Sequence, residues 1–562
     1  MGSSTTLFEA ILQARGLNAQ VRRDFLSPDY TKRHDPFLLP DMDRAVERLV
    51  QARQNQESIT IYGDYDIDGL TATSVLLDAF RSFGFKNVSA FIPNRFVEGY
   101  GLTMEAVEKI ASSGTNLIVT VDCGSLSEKE IIRASQLDID IIVTDHHNVA
   151  PVQPPAVAVV NPKRLLQDFP EAYENFLLKT DHKIYPFVDL AGVGVAFKLV
   201  QALQTRLDGL PAGQEKWLLD LVALGTVCDI VTLRDENRVN VFWGLKVMQK
   251  TRRPGLRALM AVAKVEPEKV NARSLGFGLG PRMNAAGRLE TAQHSLDMLT
   301  ATDNMVALEK AQQLDELNQA RRADQDKIFK SALEQAEAYK NDPVLVVSHA
   351  DWNHGIIGIV AAKLLEKFKK PTYVLQEMGD ESKGSARSYG DFSAADAIRA
   401  SDDIITKGGG HKLAAGVTLP TKNIADFRAR VNEFYRSKNL FNQASLLLPK
   451  ADVTIDSLAA VDENLLKQLE LLEPFGSGNP EPILRAENLA ATNTRRMGAD
   501  NQHVKLTFRD STGVTMQFLA FNAPEHFFLE PGDTATVWFQ PSVNEWQGRR
   551  SIEGRLLHIE VA

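Results

Sequence analysis

The segment Gly63-Asp64-Tyr65-Asp66-Ile67-Asp68-Gly69 constrains this chain more than any other. It follows directly on Ile59-Thr60-Ile61-Tyr62, a β-branched and aromatic run that reads as a strand. In an extended turn, residues two apart point to the same side, so three carboxylates crowd together. No Lys or Arg lies between them. Such a cluster is costly unless cations occupy it. A solvated acidic loop and a Ca²⁺ loop are the competing readings. An EF-hand needs glycine at its sixth position and glutamate at its twelfth. Counted from Asp64, Gly69 fits the sixth, but Val75 stands at the twelfth. The flanking strand and the helix-like run from about Thr71 to Phe83 also differ from helix–loop–helix.

Two further strands repeat the arrangement. Leu117–Val121 ends in Asp122, followed by Cys123-Gly124, and Ile139–Val143 leads into Thr144-Asp145-His146-His147. Ala156 to Val160 reads as a fourth strand. Strands alternating with helical patterns predict a parallel sheet covered on both faces. Ligands of such sheets bind outside the carboxyl ends of the strands, so acids at three successive ends converge on one crevice. Asp229, in Leu224-Gly225-Thr226-Val227-Cys228-Asp229, is a fourth candidate. This oxygen-rich set with imidazole and no thiolate pair favours Mg²⁺ or Mn²⁺ over structural zinc. Two cations so held would clamp a phosphoryl group and activate water. Asp122, central in the order of strands, is the candidate for the shared carboxylate. Cys123 and Cys228 read as small packing residues.

The remainder of the chain divides by pattern. Its 562 residues exceed one hydrophobic core and imply three or four domains. From about Val306 to Tyr339 there is no Gly or Pro, which predicts one long connector helix. A smaller α/β unit follows, with strands at Val344–Val347 and Thr372–Leu375 and a helix from about Ile356 to Phe368. Residues 450–562 carry β-formers at Val504–Arg509, Val514–Ala520 and Ala535–Phe539, with a hairpin turn at Asn544–Gly548, and suggest a small β-barrel. Expected domains are 1–300 with the acidic crevice, 301–341 as connector, 342–446 as the second α/β unit and 447–562 as the barrel.

Two cysteines exclude a disulfide framework and point to a reducing cytoplasm. No apolar run approaches the length of a membrane span, and the first residues lack a secretory pattern. A net charge of −9 argues against a nucleic-acid partner, but carboxylates that hold cations are neutralised in the working site.

Gly63–Gly69, Val121-Asp122-Cys123-Gly124, Asp145-His146-His147 and Gly225-Thr226-Val227-Cys228-Asp229 resemble the four motifs of the DHH phosphoesterase superfamily. The longer context is similar to its RecJ family of bacterial single-strand-specific DNA exonucleases. That context includes Gly192-Val193-Gly194, Gly280-Pro281-Arg282-Met283-Asn284-Ala285-Ala286-Gly287-Arg288 and Gly408-Gly409-Gly410-His411. Cys228 stands where alanine is commoner in the family. The resemblance implies that Asp66, Asp68, Asp122, His146 and Asp229 hold metal. Asp64 would be a ligand or a neighbour of one. His147 would touch the scissile phosphate, and Asp145 would orient the histidines. It implies 5′→3′ removal of 5′-mononucleotides and work beside single-strand-binding protein and recombination or repair proteins; a monomer is expected.

Arg95 and Tyr100, in Pro93–Gly101, suit a phosphate contact and a base stack near the terminal nucleotide. Gly384-Ser385-Ala386-Arg387-Ser388 and the glycine-rich turn expected at Lys407–Lys412 both suit an anion nest. Neither is a Walker loop. With Arg282, the residues Ser385, Arg387, Gly409, Gly410 and His411 are expected on the opposite wall of a cleft, Ser385 and Arg387 on the 5′-terminal phosphate. The C-terminal region interleaves Arg495, Arg496, Lys505, Arg509, Arg549 and Arg550 with Phe508, Phe518, Trp538 and Trp546. That pattern suits an OB-like fold binding single strands, although individual aromatics suit the barrel core equally.

The expected protein is therefore an α/β enzyme: a parallel-sheet DHH domain, a smaller α/β DHH-associated domain joined by a long helix, and a C-terminal OB-like barrel. A DHH enzyme of small substrates, such as a pyrophosphatase or cyclic-dinucleotide phosphodiesterase, would not need the barrel. A catalytically silent DNA-binding scaffold would not need the carboxylates.

Overall fold

Short, mostly apolar runs set the first sheet. β1 (Ile59–Gly63), β2 (Val88–Phe91), β3 (Leu117–Val121), β4 (Asp140–Thr144) and β5 (Ala158–Val160) pair in parallel in the order β2-β1-β3-β4-β5. The computed structural model describes residues 4–99, 101–168, 170, 184–440, 443–546 and 549–561. β1 and β3 are buried at every position, as strands covered on both faces must be. The register aligns their carboxyl ends: Gly63 lies opposite Val121, Val121 opposite Thr144, and Thr144 opposite Val160. Asp64, Asp122, Asp145 and Asn161 therefore leave the sheet at one level. The strand order reverses between β1 and β3, which is where crevices open in such sheets.

The helix after β1 spans Ile67–Ser82, four residues earlier than the expected Thr71 start. Asp66 caps it, its carboxylate accepting from the N–H groups of Asp68 at 2.9 Å and Gly69 at 3.2 Å. The acidic segment is thus strand end, cap and first helical turn. This helix is almost entirely buried against the Gly192–Gln204 and Leu219–Cys228 helices. Gly225 permits that approach, since a Cβ there would lie 2.3 Å from Thr71 Oγ1.

Two compact units divide the chain, one of residues 1–315 with 449–562, the other of 316–448. A gap-free helix, Asn304–Ala338, runs through the boundary at 315, as its lack of Gly and Pro predicts. The second unit holds β6 (Leu345–His349), β7 (Thr372–Met378), β8 (Glu381–Arg387), β9 (Lys407–Gly410) and β10 (Ala414–Pro420), ordered β6-β7-β8-β10-β9. Only β6 and β7 are parallel. Two expectations are corrected here. The segment expected as an anion nest, Gly384–Ser388, runs through Arg387 in β8, between β7 and β10. Lys407–Gly410 is not a turn but the edge strand β9, and the turn falls after it. Backbone amides of a central strand are committed to the sheet, so the 384–388 nest cannot form.

β11 (Val453–Ile455), β12 (Leu484–Met497), β13 (His503–Arg509), β14 (Thr515–Ala520), β15 (Thr534–Trp546) and β16 (Arg549–Val561) form the C-terminal sheet. Pairing of β12 with β15 closes five of them into a barrel. Phe508, Phe518 and Phe539 are fully buried, and Phe518 meets Phe508 at 5.4 Å and Phe539 at 5.0 Å, both edge-to-face. They are core, not stacking platforms. Leu7, Phe8, Ile11 and Leu12 of the Ser4–Ala14 helix share this core with Leu465 and Leu469. Arg15 locks the junction on Asp452 at 2.8 Å and Asn479 at 2.9 Å. The chain's N-terminal turns thus complete the C-terminal core, a long-range pairing no local pattern announces. Among the described residues no helix is long and apolar enough to cross a membrane.

Candidate metal centre

Strand ends and helix ends deliver the acidic side chains to one place. Asp64 follows β1, Asp66 and Asp68 open the Ile67–Ser82 helix, Asp122 follows β3, Asp145 to His147 follow β4, and Asp229 caps the Leu219–Cys228 helix. Three overlapping groups have possible ligand atoms within 4.8 Å of one another: Asp64, Asp66 and Asp122; Asp68, His146 and Asp229; Asp122, His146 and His147. Asp122 and His146 are each in two of them. Asp122 also sits in left-handed backbone at φ 62, which turns the chain sharply off the strand.

The arrangement is electrostatically incomplete without cations. Burial pushes the Asp122 and Asp64 carboxyls well above the carboxylate range, and neighbouring carboxylates add to the effect. For the same two reasons Asp68 is pushed up to about 7 and Asp229 to about 9. Burial depresses the His146 imidazole to about 3, so the ring is neutral. Its Nε2 lies 3.1 Å from Asp122 Oδ1, 3.6 Å from Asp229 Oδ2 and 3.7 Å from Asp68 Oδ2. Among the described residues no hydrogen bond satisfies Nε2, Asp122 Oδ1 or Asp64 Oδ1, although all three atoms are buried. Buried polar atoms are nearly always paired, so three orphans converging in one cluster mark an ion site. Oxygen donors and a neutral imidazole fit Mn²⁺ or Mg²⁺. Cys123 and Cys228 are not ligand candidates, because burial raises both thiols.

Other groups hold this cluster in shape. Asp145 Oδ1 accepts from the backbone N–H of His146 at 2.7 Å and of His147 at 3.0 Å, and contacts His147 Nδ1 at 2.9 Å. Burial would raise the Asp145 carboxyl, but His147 outweighs it and holds it low. Asp145 therefore fixes the His147 ring, whereas His146 is held through the Leu190 carbonyl. The N-terminus of the Gly192–Gln204 helix grips Asp68, with Gly192 N–H at 2.6 Å and Val193 N–H at 2.8 Å. A Cβ on Gly192 would meet the Asp122 carboxylate at 2.8 Å, so glycine alone allows both acids to approach. The sequence displays Gly192-Val193-Gly194 but not its target.

Asn161 and Ser125 escape sequence reasoning as well. Fully buried Asn161 donates to Ser125 Oγ and to the His147 carbonyl, both at 2.9 Å, while Ser125 N–H reaches Asp145 Oδ2 at 3.0 Å. A polar residue at the end of β5, level with Asp122 and Asp145, was the available signal.

The remaining predicted residues lie as follows. Arg95 sits over the Tyr65 ring at 5.0 Å and its charge is felt by Asp64. Tyr100 lies outside the described residues. Arg282 is engaged by Asp315 at 2.7 Å and the Gly278 carbonyl at 2.7 Å, which leaves less of it for a phosphate. Ser385, Arg387, Gly409, Gly410 and His411 belong to the other compact unit. Ser385 Oγ and Arg387 gather at the first turn of the Ile357–Phe368 helix, where a Cβ on Gly358 would come within 2.9 Å of Ser385 Oγ. Nothing lies within 4 Å of a Cβ on Gly409, whereas Gly410 adopts φ +135. His411 is exposed, its N–H on the Ala414 carbonyl at 2.8 Å.

On the barrel, Arg495, Lys505, Leu519, Arg555 and Gln540 form one cross-strand row. Arg555 is exposed and was not singled out by the sequence; Lys505 is paired with Glu553 at 3.2 Å. Trp538 is half-buried beneath Arg485, and the side chains of Trp546 and Arg549 lie outside the described residues.

Residues 58–226 match the DHH family N-terminal domain, 341–437 the DHHA1 domain and 452–558 the RecJ OB domain. The single-stranded-DNA-specific exonuclease RecJ of Bacillus subtilis is 36% identical over 557 residues, covering 97% of this chain and 67% of that protein. RecJ of Dickeya dadantii is 34% identical, covering 93% and 91%. The crystal structure of Thermus thermophilus RecJ in complex with Mn²⁺ matches with a TM-score of 0.80 at 28% identity, covering 98% of this chain and 75% of that one. The same protein in complex with Mg²⁺ matches with a TM-score of 0.73 at 26% identity, covering 98% and 74%.

Proposed function

The chain belongs to the RecJ family of DHH proteins, and from that premise we infer that it is a metal-dependent exonuclease specific for single-stranded DNA. One observation carries the reading: five carboxylates and a neutral imidazole converge, with three buried ligand atoms left unsatisfied. Asp64, Asp66, Asp68, Asp122, His146 and Asp229 would hold two ions, with Asp122 shared between them. When bound, two divalent cations supply charge neutralisation at the phosphoryl oxygens and an acidified attacking water. The protein's part is to keep Asp68 on the helix N-terminus, to hold His147 toward the substrate through Asp145, and to keep the site dry. A silent scaffold has no use for this uncompensated charge, and an enzyme of small substrates has none for the barrel.

Release of 5′-mononucleotides in the 5′→3′ direction, a role in recombination and repair, and residence in the cytoplasm as a monomer beside single-strand-binding protein complete the proposal. So does the division into domains at 300, 341 and 446. The test uses internally labelled single strands with either end blocked, matched duplex, Mn²⁺ and chelator. Nucleotide release should stop only with the 5′ block or the chelator, and duplex should be spared. Binding without release would favour the scaffold.

Ser385 and Arg387 are assigned to the 5′-terminal phosphate, supported by their place at a helix N-terminus. Arg387→Ala should lower the preference for 5′-phosphorylated over 5′-hydroxyl ends by about 10- to 100-fold, the worth of a charge-assisted hydrogen bond. Competition between the two substrates measures it. An unchanged ratio would remove Arg387 from that role.

A further inference from the structure

The acids of the first sheet come from its central strands, and its two edge strands each deliver a cation. Arg95 follows β2. Lys163 follows β5 at the opposite edge, two residues beyond Asn161. Its backbone is tied to the catalytic loops: Lys163 N–H reaches Asn161 Oδ1 at 2.9 Å, and Asn161 holds the His147 carbonyl and Ser125. The neighbouring Arg164 is engaged, on Asp41 at 2.7 Å and Asp168 at 3.0 Å. Lys163 is different. It is half-buried, yet among the described residues its ammonium makes no hydrogen bond or ion pair. Its charge is nevertheless felt by both Asp229 and His146, the β5 side of the carboxylate cluster.

We propose that Lys163 is a catalytic residue that contacts a non-bridging oxygen of the scissile phosphate from the β5 side of the cluster. The proposal rests on the nuclease reading above. Two divalent cations would nearly cancel the charge of five carboxylates, leaving a half-buried ammonium beside cations with little to attract it. A substrate phosphate supplies that missing anion, and a lysine gives it a mobile point charge. The competing view is that Lys163 only balances Asp229. Both views predict that removing the charge leaves divalent-cation binding unchanged or tighter, because an ammonium repels cations. They part on turnover.

The experiment compares the full-length wild type, Lys163→Gln and Lys163→Arg on 5′-phosphorylated single strands with saturating Mn²⁺. Mn²⁺ binding without DNA is followed by electron paramagnetic resonance. Lys163→Gln should lose about 100-fold in kcat, comparable to removal of one transition-state donor, with KM little changed. Lys163→Arg should recover most of it, and Mn²⁺ should bind Lys163→Gln at least as tightly as wild type, which also reports an intact fold. A kcat within about threefold of wild type would overturn the proposal. So would a loss accompanied by weaker Mn²⁺ binding. An inactive wild type would instead sink the nuclease reading itself.

Discussion

Asp122→Asn and Asp122→Ala are expected to abolish DNA hydrolysis, by about 10³-fold or more, with single-strand binding largely intact. Asp122 is 1% exposed and lies at the switch point of the sheet, in two of the three groups able to hold an ion. Its Oδ1 is an orphan that no donor among the described residues satisfies. Changing a partner behind a ligand typically costs 10- to 100-fold, so loss of a carboxylate shared by two ions should exceed about 10³-fold. Asn is the cleaner substitution, since it keeps the shape and tolerates the left-handed backbone at φ 62. The metal-free variant should also melt higher than wild type at neutral pH, because it avoids the cost of keeping Asp122 protonated in the folded state at a pH where the unfolded chain ionises it. Single-turnover nucleotide release gives the first result, fluorescence anisotropy the second and thermal melting the third. Activity within tenfold of wild type would remove Asp122 from its bridging role.

The acids were legible because their positions follow from local rules. A strand must end, and in a parallel sheet its carboxyl end faces the crevice, so Asp64, Asp122 and Asp145 could be placed from three apolar runs. The long connector was equally open, since thirty-odd residues without Gly or Pro admit little else. What escaped depends on contacts distant in sequence. The amides of Gly192 and Val193 reach Asp68 across 124 and 125 residues. The Ser4–Ala14 helix finds its core beyond residue 450. β2 was missed because Val88-Ser89-Ala90-Phe91 is short and only partly buried, as an edge strand often is. β8 was not read as a strand because Glu381–Arg387 is polar and glycine-bearing, and sheet partners on both sides overrule that composition. Phe508 and Phe518 show the limit of composition in the barrel: alternation places them inside, and cations nearby in sequence point the other way.

Without divalent cations, the protein should lose stability as pH rises from 6.5 to 9, and Mg²⁺ should remove that loss. Asp229 is raised to about 9 and Asp68 to about 7, with Asp64 and Asp122 also raised by burial. Free carboxylates ionise near pH 4, so above that the folded state retains protons that the unfolded chain has released. Stability then falls with rising pH until the folded groups ionise. His146 works the other way, because its depressed pKa of about 3 makes stability rise with pH up to the ordinary histidine range near 6.5. Above that value His146 no longer opposes the carboxylates, and His147, raised by its Asp145 partner in spite of burial, adds to their slope. Raising Asp229 alone over the remaining 2.5 or so units amounts to about 3 kcal/mol. Cations require the ionised carboxylates and displace their protons, so the stabilisation by Mg²⁺ should grow across the same window. Thermal melts in chelator and in Mg²⁺ at pH 6.5 and 9 measure both slopes, and calorimetric titration in buffers of different ionisation enthalpy counts the released protons. Asp122→Asn should flatten the chelator slope. A chelator profile that is level from pH 6.5 to 9, or a Mg²⁺ shift equal at both ends, would mean that the buried carboxylates are already ionised and that some group other than a cation balances them.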